Sequence, residues 1–282
     1  MNITVIIPIK DRQDDLMKCL GSIEKSILHY KKYGQERIVE IIVVDDCSKY
    51  ELTPLVSKFK NTKLIKNNGS GPGAARNTGF ILAKEGIVAF IDSDCIASAN
   101  WLERIENRFN QSEALVLQGD PCRFGKNKKL GQYEEKLYYC MFSRYVMGNE
   151  CTQIDTRNCA FRKKISTIFP LGPFIEDMKQ AQAEARVLGN HLTRNKITIL
   201  YSSDVLVFHK DPDSIWQAMR QKYRHGSGRV YVWDKCPTVN HLINRYFLTP
   251  ILVYKVPFWY VFPTHLAFLC GYFISKLKIK YI

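Results

Sequence analysis

The chain has 282 residues, enough for one sizeable domain or one domain with an appendage, and its 46% hydrophobic and 24% charged residues are ordinary for a globular protein, which excludes a disordered or fibrous chain. Lys and Arg outnumber Asp and Glu by 41 to 27, a net charge of +14 that favours anionic partners: nucleic acid, anionic lipid or a phosphorylated substrate. Nine scattered cysteines, odd in number and without a C-x-x-C pair, argue against a disulfide framework or a zinc site and fit the reduced thiols of a cytosolic protein.

The elements follow in chain order. Met1 leads straight into an apolar strand, Thr4–Ile9, with no basic stretch or cleavage site, so no secretory signal is expected. Leu16, Leu20, Ile23 and Ile27 recur at helical spacing, and Val39–Val44 reads as a second strand. Leu52, Leu55, Val56 and Phe59 form another helical stripe before a third strand, Thr62–Lys66. A glycine-rich loop, residues 69–77, leads to a fourth strand, Ile87–Ile91. A helix bearing Trp101, Leu102, Ile105 and Phe109 then precedes a fifth strand, Ala114–Gln118, and Val205–Phe208 is a later one. Apolar strands alternating with amphipathic helices predict an α/β fold, a mostly parallel sheet with helices on both faces.

The tail is different. Arg220, Lys222, Arg224, Arg229, Lys235, Arg245, Lys255, Lys276, Lys278 and Lys280 face only Asp234 after residue 213. From Phe247 to Ile274 the chain is apolar and aromatic, interrupted by Pro250, Lys255, Pro257, Pro263 and His265, so no clean run reaches spanning length. Such a segment flanked by lysines resembles an interfacial or re-entrant membrane anchor; the competing reading is a buried helical pair. Nucleic-acid binding would rest on charge alone, and no nucleic-acid partner is expected.

A parallel α/β sheet binds ligands beyond the carboxyl ends of its strands. Those ends carry Lys10-Asp11-Arg12, Asp45-Asp46, the glycine loop with Arg76, and Asp92-Ser93-Asp94. On an extended chain Asp92 and Asp94 project to one side, where their repulsion calls for a cation with oxygen ligands, Mg²⁺ or Mn²⁺. The first loop lacks G-x-G-x-x-G, and no G-x-x-x-x-G-K-[ST] occurs, which argues against a dinucleotide-binding fold and a P-loop NTPase.

The segments Val5-Ile6-Ile7-Pro8-Ile9-Lys10-Asp11-Arg12, Ile42-Val43-Val44-Asp45-Asp46-Cys47-Ser48, Gly73-Ala74-Ala75-Arg76-Asn77-Thr78-Gly79 and Phe90-Ile91-Asp92-Ser93-Asp94 together resemble glycosyltransferase family 2, inverting enzymes of the GT-A fold. The resemblance implies a GT-A domain over residues 1–230, with a nucleotide-binding half at 1–120, an acceptor half at 121–230, and an apolar C-terminal helical appendage at 231–282. It implies that Pro8, Asp11, Asp45, Asp46, Arg76, Asp92, Ser93 and Asp94 bind a nucleoside-diphosphate sugar. A carboxylate accepts from base and ribose, and a guanidinium matches phosphate oxygens. Asp11 as a helix N-cap and Asp45-Asp46 as turn residues stay open beside this.

The metal would be held by Asp92, Asp94 and His209, and the base that deprotonates the acceptor would be Asp177, with Glu176 second. The match loosens here, for the arginine that usually follows the acidic pair is replaced by Ala183, with Arg186 further on. Asn158, Gln221 and Arg224 would contact acceptor or diphosphate; His225 stands where processive members carry tryptophan. The implied reaction is metal-dependent, inverting sugar transfer to a hydroxyl of a glycan or lipid-linked acceptor. The basic, aromatic tail suggests a peripheral setting at the cytoplasmic face of an anionic membrane. The rivals are a sugar nucleotidyltransferase, which would carry G-x-G-T-R in the first loop, and a non-catalytic module that binds nucleotide sugar or membrane.

Overall fold

The computed structural model describes residues 2–32, 38–124, 128–176, 184–231 and 242–280. Strand β1 (Ile3–Ile9) is apolar at almost every position. Alternation along the strand sends Ile3, Val5, Ile7 and Ile9 into one core with Leu16, Cys19, Leu20 and Ile23 of helix α1 (Gln13–Lys31). Ile6 faces the opposite way. There helix α3 (Pro72–Leu82), which follows the short helix α2 (Thr53–Val56) in the chain, approaches so closely that a Cβ on Gly79 would stand 2.6 Å from Ile6. Helix α4 (Trp101–Asn110) joins α1 on the first face through Trp101, Leu102, Ile105 and Phe109. Burial on both faces is why these strands read as unbroken apolar runs.

Strands β2 (Val39–Asp45) and β4 (Ile87–Ile91) flank β1 in parallel, and β3 (Thr62–Lys66) lies parallel to β2. The remaining strands are β5 (Cys95–Ala97), β6 (Val116–Phe124), β7 (Val146–Met147), β8 (Glu150–Cys151), β9 (Asn158–Arg162) and β10 (Ile199–Lys210). Among the described residues, these ten form one sheet in the order β3-β2-β1-β4-β9-β6-β10-β8-β7, with β5 on β10. The parallel half expected from the βαβ pattern is there. Beyond β4 the sheet becomes mixed: β9 runs antiparallel to β4 and β6, and β10 antiparallel to β5 and β8.

Helices α5 (Lys128–Phe142), α6 (Glu184–Arg194), α7 (Ile215–Gly228), α8 (Thr249–Leu252) and α9 (Phe258–Lys280) complete the described structure. The chain divides into two compact units: Met1–Cys122, Val146–Lys179 and Leu188–His209; and Arg123–Tyr145, Gln180–Val187 and Lys210–Ile282. This differs from a division at residue 230, because α7 packs with the C-terminal helix. A Cβ on Gly226 would run into the Phe268 carbonyl, and one on Gly271 into the Tyr223 carbonyl. Ser227 Oγ donates across this contact to the Gly271 carbonyl at 3.3 Å. Only glycine allows two helix backbones to come this close.

The tail corrects an expectation. Its prolines do not cut it below spanning length. Pro257 immediately precedes α9, where a missing N–H costs nothing, and Pro250 lies in the first turn of α8, directly after the π-helical turn Asn244–Leu248, where Thr249 Oγ1 takes up the Asn244 carbonyl at 2.8 Å. Pro263 lies inside α9, and neighbouring side chains take up carbonyls near the break: Thr264 Oγ1 donates to Tyr260 O at 2.7 Å, and His265 Nδ1 is 3.0 Å from Val261 O. The stretch Phe258–Leu277, with mean hydropathy 1.2, is long and apolar enough to cross a membrane by length and composition.

Candidate active site

Strand order reverses at β1, since β2 lies on one side of it and β4 on the other. β1 and β4 are parallel neighbours, so the segments leaving them lie side by side at the carboxyl ends, the edge where such a sheet binds ligands. Arg12, just after β1, donates from Nη1 to Asp94 Oδ2, just after β4. Arg76, in the first turns of α3, donates from Nη2 to Asp92 Oδ1 at 2.7 Å. Its guanidinium is buried and lies 5.7 Å from the centre of the Phe174 ring.

Asp92 and Asp94 thus do not project to one side as two residues of an extended strand would. The strand ends at Ile91, and the Cys95 N–H closes a turn onto Asp92 O at 3.0 Å. The turn sends each carboxylate to its own arginine. Ser93 is buried within it.

His209 reaches Asp94 through strand register. In the antiparallel β5–β10 pair it stands opposite Cys95, which places its Nε2 3.6 Å from Asp94 Oδ1. Ligand atoms of Asp94, Cys95 and His209 lie within 4.8 Å of one another. Burial, and then the charges of Asp94 and Asp92, push the Cys95 thiol far up, and its soft sulfur is a poor match for a hard cation. The carboxylate and imidazole that remain suit Mn²⁺ or Mg²⁺. Of the three expected ligands, the structure gathers Asp94 and His209 and leaves Asp92 with Arg76. Asp155, ahead of β9, adds charge nearby. Burial pushes its carboxyl up, but the Arg157 fork and the neighbouring His209 outweigh that and hold it below the usual carboxylate range.

The other donor-side residues brace the loops. Asp11 has φ 55°; its N–H donates to Ser48 Oγ at 3.1 Å and its Oδ1 accepts the Lys49 N–H at 2.6 Å. It ties the loop after β1 to the loop after β2 and does not cap α1, whose N-cap is Arg12. Asp45 Oδ1 accepts the Ser48 N–H at 2.9 Å, which is turn chemistry. Asp46 is buried; its Oδ1 accepts from Asn67 Nδ2 at 2.7 Å and the Gly71 N–H at 3.0 Å, and so holds the glycine loop. Pro8 pairs with Val44 within the sheet.

Asn77, one residue past Arg76, fastens the acidic segment. Its Nδ2 donates to Phe174 O at 2.7 Å and Glu176 Oε1 at 2.9 Å, and its Oδ1 accepts the Phe174 N–H at 3.0 Å. Glu176 is thereby hung from α3. Asp177 lies outside the described residues.

Asn158 corrects another expectation. Its Oδ1 accepts from Trp101 Nε1 at 2.9 Å, and its Nδ2 donates to Val205 O at 2.7 Å and Asp120 O at 3.1 Å. It is 1% exposed, so its amide is committed inside the core and reaches no acceptor. Gln221 and Arg224 belong to the second unit, on α7, where Arg224 is exposed. Arg12, Asn67 and Asn77 were given no role by sequence. All three lie within or next to the polar strand-end segments, but nothing along the chain says which carboxylate or carbonyl each will meet.

The profile described as "Glycosyl transferase family 2" matches residues 4–169. Glycosyltransferase AglE of Haloferax volcanii is 32% identical over 241 residues, 82% of this chain and 74% of that protein. Poly(ribitol-phosphate) beta-N-acetylglucosaminyltransferase TarS of Staphylococcus aureus is 30% identical over 209 residues, 71% of this chain but 34% of its own length. Among solved structures, S. aureus TarS in complex with UDP-GlcNAc aligns with TM-score 0.54 and 15% identity, over 100% of this chain and 92% of that one. The mannosyltransferase PcManGT of Pyrobaculum calidifontis, in complex with GDP-Man and Mn²⁺, aligns with TM-score 0.57 and 15% identity, over 99% and 78%. At these identities the structural likeness shows the fold.

Proposed function

The chain belongs to glycosyl transferase family 2 and is a glycosyltransferase, and on that premise we propose that it moves a sugar from a nucleoside diphosphate to an acceptor hydroxyl in one inverting, cation-dependent displacement. The observation that carries this is the Asp94–His209 pair at the carboxyl end of β4, with Arg12 and Arg76 beside it. Asp94 and His209 hold the cation in this reading. A bound Mn²⁺ or Mg²⁺ supplies countercharge for the departing diphosphate. Arg12 and Arg76 add fixed positive charge on the same side, and a guanidinium need not reorganise as charge grows. Asp11, Asp45 and Asp46 order the loops that take the base and ribose. Glu176 is anchored by Asn77, so Asp177 is the carboxylate we assign as base for the acceptor hydroxyl.

UDP-, GDP- and TDP-sugars tested for thermal stabilisation with and without Mn²⁺ check the donor assignment. A shift that needs both nucleotide and metal is expected; no shift with any donor overturns it. TarS and PcManGT, solved with UDP-GlcNAc and with GDP-Man and Mn²⁺, support that choice of probes.

We further assign the acceptor to a glycan or lipid-linked glycan at the cytoplasmic face of an anionic membrane, where the second unit docks. Leu252, Val253, Phe258, Trp259, Phe262 and Leu266 are large apolar side chains exposed near Lys255, a pattern that fits an interface. Cell fractionation should recover the full-length protein with membranes at low salt. Complete recovery in the soluble fraction refutes this.

A further inference from the structure

Four separate segments of the second unit bring three arginines together. Arg186 comes from α6, Arg229 from the turn that follows α7, and Arg245 from a π-helical turn, Asn244–Leu248. Tyr145 closes the 3-10 turn Ser143–Tyr145. Arg186 and Arg245 both donate from Nη2 to the Tyr145 hydroxyl, the second at 3.1 Å. The Arg186 guanidinium lies 4.8 Å from the centre of the Tyr145 ring, and that of Arg245 lies 5.7 Å from the Tyr246 ring.

Like charges this close repel, more so out of water. Among the described residues, the charged or ionisable neighbours that act most on Arg229 are Tyr246, Arg186, Tyr145 and Arg245, none of them a carboxylate. Among the described residues no carboxylate pairs with Arg186 or Arg229. Arg229 keeps part of its surface open, but its Nη1 is enclosed and donates to no group among the described residues. Burial, ahead of every neighbouring charge, pushes this guanidinium down to about 10. The phenols do not neutralise the group. Burial raises Tyr246, and although Arg186 and Arg245 draw Tyr145 below its ordinary value against the effect of burial, a phenol remains a weak acid. A polar site with excess positive charge and an unfilled enclosed donor is one that an anion completes.

We propose that Arg186, Arg229 and Arg245, around Tyr145, form a cradle for a phosphate or diphosphate group carried by an amphiphilic, lipid-linked acceptor. Guanidinium forks match phosphate oxygens, and three of them suit a group bearing more than one negative charge. The lipid source follows from what adjoins the cradle. The turn that carries Arg245 runs on into exposed Leu248, Leu252 and Val253, and Tyr246 stacks on Phe268 of α9 at 4.8 Å. Anion donors and uncovered apolar surface are thus neighbours along the same segment, as an amphiphile requires. The lipid part rests on the acceptor class proposed above; the anion site does not.

The test is calorimetric binding to the full-length protein, without donor or metal, so that failure of the transfer reading leaves it intact. Octyl phosphate, octanol, inorganic phosphate and pyrophosphate are the probes. Octyl phosphate should bind and octanol should not. R229M and R186M should each weaken binding about tenfold or more, with R229K intermediate, at unchanged circular dichroism. Pyrophosphate bound as tightly as octyl phosphate, with the same arginine dependence, keeps the anion site and removes the lipid source. No binding of any phosphate, or binding that R229M and R186M both leave unchanged, overturns the cradle.

Discussion

Replacing Asp94 with alanine should lower kcat/KM by roughly a thousandfold, about 4 kcal/mol of lost transition-state stabilisation, while leaving the protein folded. Asp94 is the carboxylate that the fold shares between Arg12 and His209. Its loss removes the anionic half of the proposed cation site. The fold tolerates this because the Arg12 side chain is 45% exposed and water can take over its donors. Steady-state kinetics over a Mn²⁺ titration, with a melting curve for each variant, measure both effects. The D94A variant should need far more Mn²⁺ for any remaining turnover. H209A should move the Mn²⁺ requirement in the same direction. Retention of activity within about tenfold at low Mn²⁺ would remove Asp94 from the site. Asp92→Asn should behave differently. It leaves the buried Arg76 guanidinium without its ionised partner, so part of its effect should appear as lost stability.

The second large effect is structural. Asn158→Ala should destabilise the first unit by about 4 kcal/mol, because it strips three buried partners at once, and each orphaned group costs about 1–3 kcal/mol with partial relaxation. The partners are Trp101 Nε1 and the carbonyls of Asp120 and Val205, which belong to α4, β6 and β10. One amide therefore cross-links a helix and two strands. Gly119 shows how tightly it is seated, for a Cβ there would run into Asn158 Nδ2 and stand 2.6 Å from Asn158 Cγ and from the Val205 carbonyl oxygen. Urea denaturation measures the loss. Acceptor KM in the folded fraction should stay within about twofold of the parent, and a selective rise in acceptor KM at unchanged stability would return Asn158 to the acceptor side.

These two residues mark where reading the chain succeeds and where it stops. Asp94 could be singled out because its setting is local: an apolar strand ends and two carboxylates follow. The parallel half of the sheet was legible for the same reason, since strands buried on both faces must be apolar throughout and their helices must show a stripe. The resemblance puts Asn158 on the acceptor side, but the three groups that consume its amide come from distant stretches of sequence. The prolines of the tail misled in a related way. Two of them stand where helices begin, and near the third the side chains of Thr264 and His265 occupy carbonyls beside the break.

The sequence by itself determined which chemical groups stand at the ends of which strands, and with them the family. Those are properties of short segments, whose strand or helix period follows from nearest neighbours along the chain. The tertiary structure decided how those groups divide among partners: Asp92 with Arg76, Asp94 with Arg12 and His209, Asp46 with the glycine loop, and Glu176 with Asn77. Each pairing depends on strand register or on how a helix lies against the sheet. A slip of one residue between β5 and β10 would turn His209 to the other face of the sheet, with no change in composition or motif.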